Sequence, residues 1–391
     1  MKHFSFFRSA LVALALVPAL ASATPIEIVQ SIPNGTKLAV PNLRQAKDVW
    51  PEMIDGARHT IDIAQMYIST KPGRALDRTV DALDRAGKRG VKIRFLLWAG
   101  MKDTDPAGVA RIKTIPNLTL ALYDIKPVTG GIHHAKYWII DGREVFVGSQ
   151  NFDYLSLEEI HETGVHLISK AIATQLGTVF AHDWNFALTG KWGNEAVPPR
   201  MKLPPDVELV ASPERLNPKG LMPGIKRLVS LLAHAKRTVQ IALLDYSTTA
   251  YSGNEPWKEI DGALRAAAAR GVRVELLVSH WNTAKSEIAS IQSLALVPGI
   301  TVRVSFVPDQ PGGHIPFSRV IHSKHMIVDG TIYWVGTSNW SRGYFYDTRD
   351  IEIVMYRKDL AATGTKVFEA VWTAPYTEAL DPTRVYPTPV K

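Results

Sequence analysis

Two stretches of this chain carry nearly the same set of reactive side chains. HHAKYWIIDGREVFVGSQNF begins at His133, and IHSKHMIVDGTIYWVGTSNW begins at Ile321. In each, a histidine stands two residues before a lysine: His134 with Lys136, His322 with Lys324. Residues two apart on an extended segment share a face, so imidazole and ammonium are presented together. An Asp-Gly pair follows between two apolar runs, Asp141-Gly142 and Asp329-Gly330, which is a strong hairpin-turn signal. Asp141 lies at an odd offset from His134, so the aspartates Asp141 and Asp329 read as turn residues and not as members of the reactive face. On the returning strand Ser149 and Asn151 share a face, as do Thr337 and Asn339. Glu162 and Asp350 each lie 28 residues after their histidine (162 − 134 and 350 − 322).

That inventory suits a phosphate. Lysine, asparagine and hydroxyl side chains hydrogen-bond phosphate oxygens. A carboxylate behind a histidine fixes its tautomer and raises its basicity. Two sets related by a pseudo-twofold would place two imidazoles on opposite sides of one phosphorus, one to attack and one to protonate the leaving oxygen. A zinc site is the rival reading, but protonated lysines do not ligate, and no aspartate and glutamate cluster of the two-metal kind is evident. No metal and no cofactor is expected. His133 points to the opposite face from His134 and reads as structural.

The elements that must position these groups are themselves repeated. ARHTIDIAQMYIST (Ala57 to Thr70) parallels AKRTVQIALLDYST (Ala235 to Thr248), and each is followed by a helical stretch ending in Arg-Gly-Val. The order strand, helix, strand, hairpin is an α/β order, and the buried runs IRFLL and VELLV suit parallel central strands. The expected fold is therefore two fused, pseudo-twofold-related α/β lobes, each a mixed, mostly parallel sheet flanked by helices. The lobes are expected over residues 24–195 and 214–391, joined by a Pro-rich linker over 196–213.

The whole chain bounds the setting. Its 391 residues are 46% hydrophobic and 21% charged, enough for two ordinary cores. Lys2 and Arg8, the apolar run Ala10 to Leu20 and then Ala21-Ser22-Ala23 read as a secretory signal peptide over residues 1–23, too short for a spanning helix. The mature protein is expected in the periplasm or outside the cell, with no stable membrane anchor. The chain has no cysteine, which excludes thiolate zinc sites and cysteine nucleophiles. A formal charge of +8 suits anionic partners such as nucleic acid or phospholipid head groups. Tyr67, Trp98, Tyr246, Trp281, Phe317, Trp340, Tyr344 and Phe345 fall near strand ends or motif loops, where a base could stack, although core or rim packing is the commoner role for each.

The doubled pattern His-x-Lys, four residues, Asp, six residues, Gly-Ser or Gly-Thr, x, Asn resembles the phospholipase D superfamily. The resemblance implies metal-free phosphodiester cleavage through a phosphohistidine. It implies His134 and His322 as the catalytic pair, with His134 the nucleophile and His322 the acid and then the base. Lys136, Lys324, Asn151 and Asn339 would hold the phosphate, Ser149 and Thr337 would support them, and Glu162 and Asp350 would orient the histidines. Asp350 stands where glutamate is usual, and its shorter reach would loosen that contact. GSQNFDYLSLEEIHETGV, IPFSRVIHSKHMIVDG and GTSNWSRGYFYDT are similar to the branch of animal endolysosomal 5′ exonucleases and their poxviral relatives. That branch implies single-stranded nucleic acid as substrate, with phospholipid hydrolysis or transphosphatidylation as the alternative. A third reading, an inactive member that only binds polyanions, is opposed by the intact residues of both motifs. A cleavable signal in place of a retained anchor, and the lack of cysteines, set this chain apart from the animal proteins.

Overall fold

The computed structural model describes residue 1 and residues 23–198, 203–249 and 256–391. The N-terminal apolar run read as a signal peptide lies outside the described residues.

The first half contributes strands β1 (Ile26–Ser31), β2 (Thr60–Gln65), β3 (Ile68–Ser69), β4 (Lys92–Trp98), β5 (Leu118–Tyr123), β6 (Tyr137–Ile140), β7 (Glu144–Gly148), β8 (Phe152–Asp153) and β9 (Glu162–Ile168). Seven of them form one sheet in the order β1-β9-β7-β6-β2-β4-β5, while β3 and β8 pair separately. The second half contributes β10 (Val207–Ser212), β11 (Met222–Pro223), β12 (Thr238–Leu243), β13 (Arg273–Ser279), β14 (Ile300–Ser305), β15 (His325–Val328), β16 (Ile332–Gly336), β17 (Asp350–Met355) and β18 (Thr377–Ala379). These form a nine-stranded sheet in the order β11-β10-β17-β16-β15-β12-β13-β14-β18. The two sheets repeat one topology, as the duplicated sequence requires.

Both sheets are mixed, but parallel ladders are the minority. In the first they are confined to β2-β4-β5, and in the second to β12-β13-β14 and the short β10-β11 pair. The Asp-Gly turns explain why: each forces its strands, β6-β7 and β15-β16, to return antiparallel. Asp141, Gly142, Asp329 and Gly330 all have left-handed φ, of 51°, 59°, 54° and 65°, as a tight primed hairpin turn demands. The segment expected as a linker also differs, because residues 207–212 are strand β10, paired with β17. Val207, Leu209 and Ala211 enter the core between the sheets and Val210 the outer core of the second half, and prolines before the strand do not prevent pairing.

The repeated Arg-Gly-Val has a local cause. Helices Leu76–Lys88 and Glu259–Ala269 end before Gly90 and Gly271, whose φ of 90° and 87° let the chain reverse into β4 and β13. The preceding arginines close the helix before: Arg89 donates to Ile54 O at 3.0 Å and Arg270 to Leu232 O at 2.8 Å. Outer helices Ala46–Gly56 and Leu76–Lys88 cover the first sheet through Trp50, Ile54, Val80 and Leu83. Gly224–His234 and Glu259–Ala269 cover the second through Leu228, Leu232, Ile260 and Leu264. The facing sides of both sheets share one core with helices Lys170–Thr189 and Lys358–Trp372, in which Phe180, Val147 and Val165 meet Val335, Ile353 and Phe368. That core joins the halves. No helix among the described residues is long and apolar enough to cross a membrane.

Candidate functional site

His134 and Lys136 lie in the extended lead-in to β6, and His322 and Lys324 in the lead-in to β15. All four are buried, as are Asn151, Asn339, Ser149, Thr337, Glu162 and Asp350. Each lysine ammonium bonds the carbonyl of the histidine two residues before it, Lys136 to His134 O at 2.5 Å and Lys324 to His322 O at 2.8 Å. A strand-like spacing therefore fixes the direction of each lysine.

The carboxylates do not serve the histidine of their own half. Nδ1 of His134 meets Asp350 Oδ1 at 2.9 Å, and Nδ1 of His322 meets Glu162 Oε2 at 2.8 Å. The 28-residue offset suggested a complete set within each half; the structure corrects this to an exchange between halves. Backbone crossings cause it. His134 N donates to Arg349 O (3.0 Å) and Arg349 N to Ile132 O (2.9 Å). At the mirror crossing His322 N donates to His161 O (2.9 Å) and His161 N to Val320 O (3.0 Å). The residue after each crossing is the carboxylate. Asp350 is not loosened by its shorter reach: besides His134 it accepts from Thr337 Oγ1 at 2.6 Å. Ser149, at the equivalent place, donates to Thr163 O at 3.1 Å and accepts from Thr163 N, as Thr337 does with Ile351 O and N.

With both Nδ1 atoms facing carboxylates, the Nε2 atoms are left for chemistry. Burial, then the charges of Lys136 and Lys324, hold the His134 imidazole well below its usual range, and the same influences hold His322 down. Burial also pushes Asp350 up to about 7 and Glu162 up to about 8 against the pull of the lysines. Lys324 is pushed down to about 8 by burial, and Lys136 well below its normal value by burial and Lys324. A site in which every group is driven toward neutrality accepts an anion readily, since one negative charge between the ammoniums reverses the penalty on each. The side-chain oxygens of Asn151 and Asn339 are buried with no intramolecular partner.

The other sequence expectations resolve individually. Asp141 accepts from the backbone N–H groups of Arg58, His59 and Thr60 at 2.9, 2.7 and 2.8 Å. Asp329 does the same for Lys236, Arg237 and Thr238 at 2.9, 2.7 and 3.0 Å. Both stand away from the histidines and tie the hairpin to the start of the neighbouring strand. His133 is fully buried against Tyr123, ring centroids 5.3 Å apart. Tyr246, Trp340 and Phe345 are core residues, Tyr67, Trp98, Trp281 and Tyr344 are half-buried, and Phe317 is exposed. Tyr344 lies against His134, at 5.0 Å between rings.

Sequence reasoning passed over Arg349 and His161, which make the crossings. The available signal was a polar residue directly before each carboxylate, in RDIEIVM and HETGVHLI, where the strands are otherwise largely apolar. It also passed over an asymmetry. Tyr67 and Asp245 hold equivalent places after β2 and β12; Tyr67 donates to Asp153 Oδ2 at 3.0 Å, whereas Asp245 offers a carboxylate in its place.

Comparison with known proteins gives one match per half. The family model described as cardiolipin synthase, PLD-like domain, matches residues 51–184 and 228–372. Phospholipase D Z of Dictyostelium discoideum is 32% identical over 390 residues, covering 90% of this chain and 90% of that protein. The 5′-3′ exonuclease PLD3 of Rattus norvegicus is 28% identical over 395 residues, covering 90% of this chain and 80% of that protein. Among solved structures, phosphatidylserine synthase of Haemophilus influenzae Rd KW20 has a TM-score of 0.62 at 12% identity over 85% of each chain, a likeness of fold.

Proposed function

The chain belongs to the phospholipase D superfamily of phosphodiesterases, and from that premise we propose that it removes nucleotides from single-stranded nucleic acid, without a metal ion, through a phosphohistidine. The observation that carries the mechanism is the pair of exchanged dyads, His134–Asp350 and His322–Glu162. In each, a carboxylate on Nδ1 orients the ring so that Nε2 faces the substrate, as a lone pair when the dyad has lost its proton and as an N–H when it keeps it.

Burial raises both carboxyls, Asp350 to about 7 and Glu162 to about 8. The likeness to the superfamily supports His134, the first-motif histidine, as the nucleophile. Its Nε2 attacks phosphorus, the bond to the leaving oxygen breaks, and His322 supplies the proton that oxygen takes. In the second half-reaction His322 takes a proton from water, the hydroxide attacks phosphorus, and the P–N bond electrons return to His134. Lys136, Lys324, Asn151 and Asn339 bind the non-bridging oxygens throughout, supplying the positive charge that metal ions supply elsewhere.

The similarity to a 5′-3′ exonuclease and the basic balance of the chain support nucleic acid as substrate. The relative at 32% identity is named a phospholipase D, which favours glycerophospholipid as the second reading. Action in the periplasm or outside the cell, after loss of residues 1–23, completes the proposal. The test is a paired assay in excess EDTA of an end-labelled single-stranded oligonucleotide and of phosphatidylcholine vesicles. Shortening of the oligonucleotide in chelator is the expected result. Choline release without it transfers the proposal to the second reading, and loss of all turnover, restored by zinc or magnesium, refutes the metal-free mechanism.

A further inference from the structure

Arg349 is among the most deeply buried charged groups of the molecule. It has no exposed surface, and neither does its partner Asp183 on helix Lys170–Thr189. Its Nη2 donates to Asp183 Oδ1 at 2.9 Å and its Nε lies 2.9 Å from Oδ2. Tyr123 OH donates to the same Oδ1 at 2.8 Å. The remaining donors reach the start of the second half: Ser212 O at 3.1 Å, Leu216 O at 2.6 Å and Asn217 Oδ1 at 2.8 Å. One guanidinium thus ties a helix of the first half to the segment that opens the second.

A buried ion pair is costly to form and is weak evidence of net stability, so its position is the informative feature. Arg349 precedes Asp350, and its own backbone makes both hydrogen bonds of the crossing that brings Asp350 to His134. At the mirror crossing the residue before the carboxylate, His161, is paired with a hydroxyl, and the buried ion pair there, Arg319 with Glu159 at 3.3 Å, stands two residues further back from the dyad. There His161 Nδ1 meets Ser323 Oγ at 2.8 Å, and Ser323 Oγ donates to His161 O at 3.2 Å. The two dyads have matching contact lengths but rest on different supports.

We propose that the Arg349–Asp183 pair is a positioning device for the His134 dyad alone, and that His161 with Ser323 positions the His322 dyad, so that the two half-sites are separately adjustable. Arg349 touches no reacting atom; it acts by setting where Asp350 stands. The consequence rests on the two-step reading above: with an activated ester, whose leaving oxygen needs no proton, disturbing Asp183 slows attack on phosphorus, and disturbing Ser323 slows hydrolysis of the intermediate.

The experiment uses the whole protein labelled with 15N in the histidine rings, its dyad signals assigned with His134→Gln and His322→Gln. Asp183→Asn keeps the size and the acceptor for Tyr123 but removes the charge. Expected are a shifted Nδ1 resonance for His134 and an unmoved one for His322, with Ser323→Ala giving the reverse. With bis(nitrophenyl) phosphate, the enzyme-labelling rate should fall about tenfold or more in Asp183→Asn, as misplacement of a reacting group implies, with intermediate decay within about twofold of wild type. If Asp183→Asn does not fold, Asn217→Ala, which removes one contact to Arg349, takes its place. A folded variant in which both signals move together, or neither moves, overturns the assignment. So does labelling at the wild-type rate. If the wild-type protein itself is never labelled, the covalent route fails, and the nitrogen spectra decide the positioning claim by themselves.

Discussion

The two half-sites are near copies in composition and unlike in support. Each has a histidine bonded through Nδ1 to the carboxylate of the other half, at 2.9 Å for His134 and 2.8 Å for His322. Around that shared contact the surroundings diverge. The His134 side has Asp350 with Thr337 and a buried ionic anchor. The His322 side has Glu162 and the His161–Ser323 contact, with its buried ion pair, Arg319–Glu159, two residues further from the dyad. A symmetric pair could not decide which imidazole attacks and which protonates. The difference teaches that duplication supplied the parts and that the residues behind them have since diverged.

Removing the histidines tests the comparison hardest. His134→Ala should abolish covalent labelling. His322→Ala should lose about 10²–10⁴-fold on substrates with poor leaving groups, keep partial turnover of a nitrophenyl phosphodiester, and accumulate phosphorylated His134. Mass spectrometry after brief exposure to the activated ester reads the outcome; a phosphoryl group trapped on His322 in His134→Ala reverses the roles.

The exchange of carboxylates predicts a crossed phenotype, one step smaller. Glu162→Gln should mimic loss of His322, although Glu162 follows His134 in sequence, and Asp350→Asn should mimic loss of His134. Each should lower kcat by about 10²-fold or more, since the wrong tautomer is then favoured. Comparing poor with activated leaving groups sorts the variants, and Glu162→Gln behaving like His134→Ala would contradict the crossed geometry.

The pH profile sharpens the same contrast. Burial pushes Asp350 up to about 7 and Glu162 up to about 8. Attack requires the His134 dyad to have lost its proton, so kcat/KM should rise through about pH 7. Protonation of the leaving oxygen requires the His322 dyad to keep its own, so activity should fall above about pH 8. A bell with limbs from different halves is expected. In Glu162→Gln the alkaline limb should move and the acid limb stay; movement of the acid limb instead would exchange the assignments.

The smallest effects should come from the turn aspartates, where the halves are alike. Asp141 and Asp329 each accept three backbone N–H groups. Asp141→Asn and Asp329→Asn should each cost about 1.5–3 kcal/mol of stability, the range for hydrogen bonds to a charged group, and should do so equally. Denaturant unfolding measures the loss. Wild-type stability together with an activity loss of about 10³-fold, roughly 4 kcal/mol in barrier, would place these carboxylates in the chemistry.

The sequence by itself determined the parts of this protein and their local geometry. Two-residue spacing placed His134 with Lys136 and His322 with Lys324, and Asp-Gly fixed hairpins with left-handed turn residues. Arg-Gly-Val ended two helices, and the repeat announced two sheets of one topology. All of these are interactions over a few residues, which periodicity and turn chemistry encode directly. The boundary at β10 and the balance of parallel and antiparallel ladders were less legible, because proline content and apolar runs do not specify a pairing partner. Only the tertiary structure decided which carboxylate serves which histidine. Asp350 lies 216 residues from His134 and Glu162 160 residues from His322. Those distances are closed by backbone crossings between the halves and by Arg349 buried against Asp183, and a polar residue in a strand does not specify which distant partner it meets.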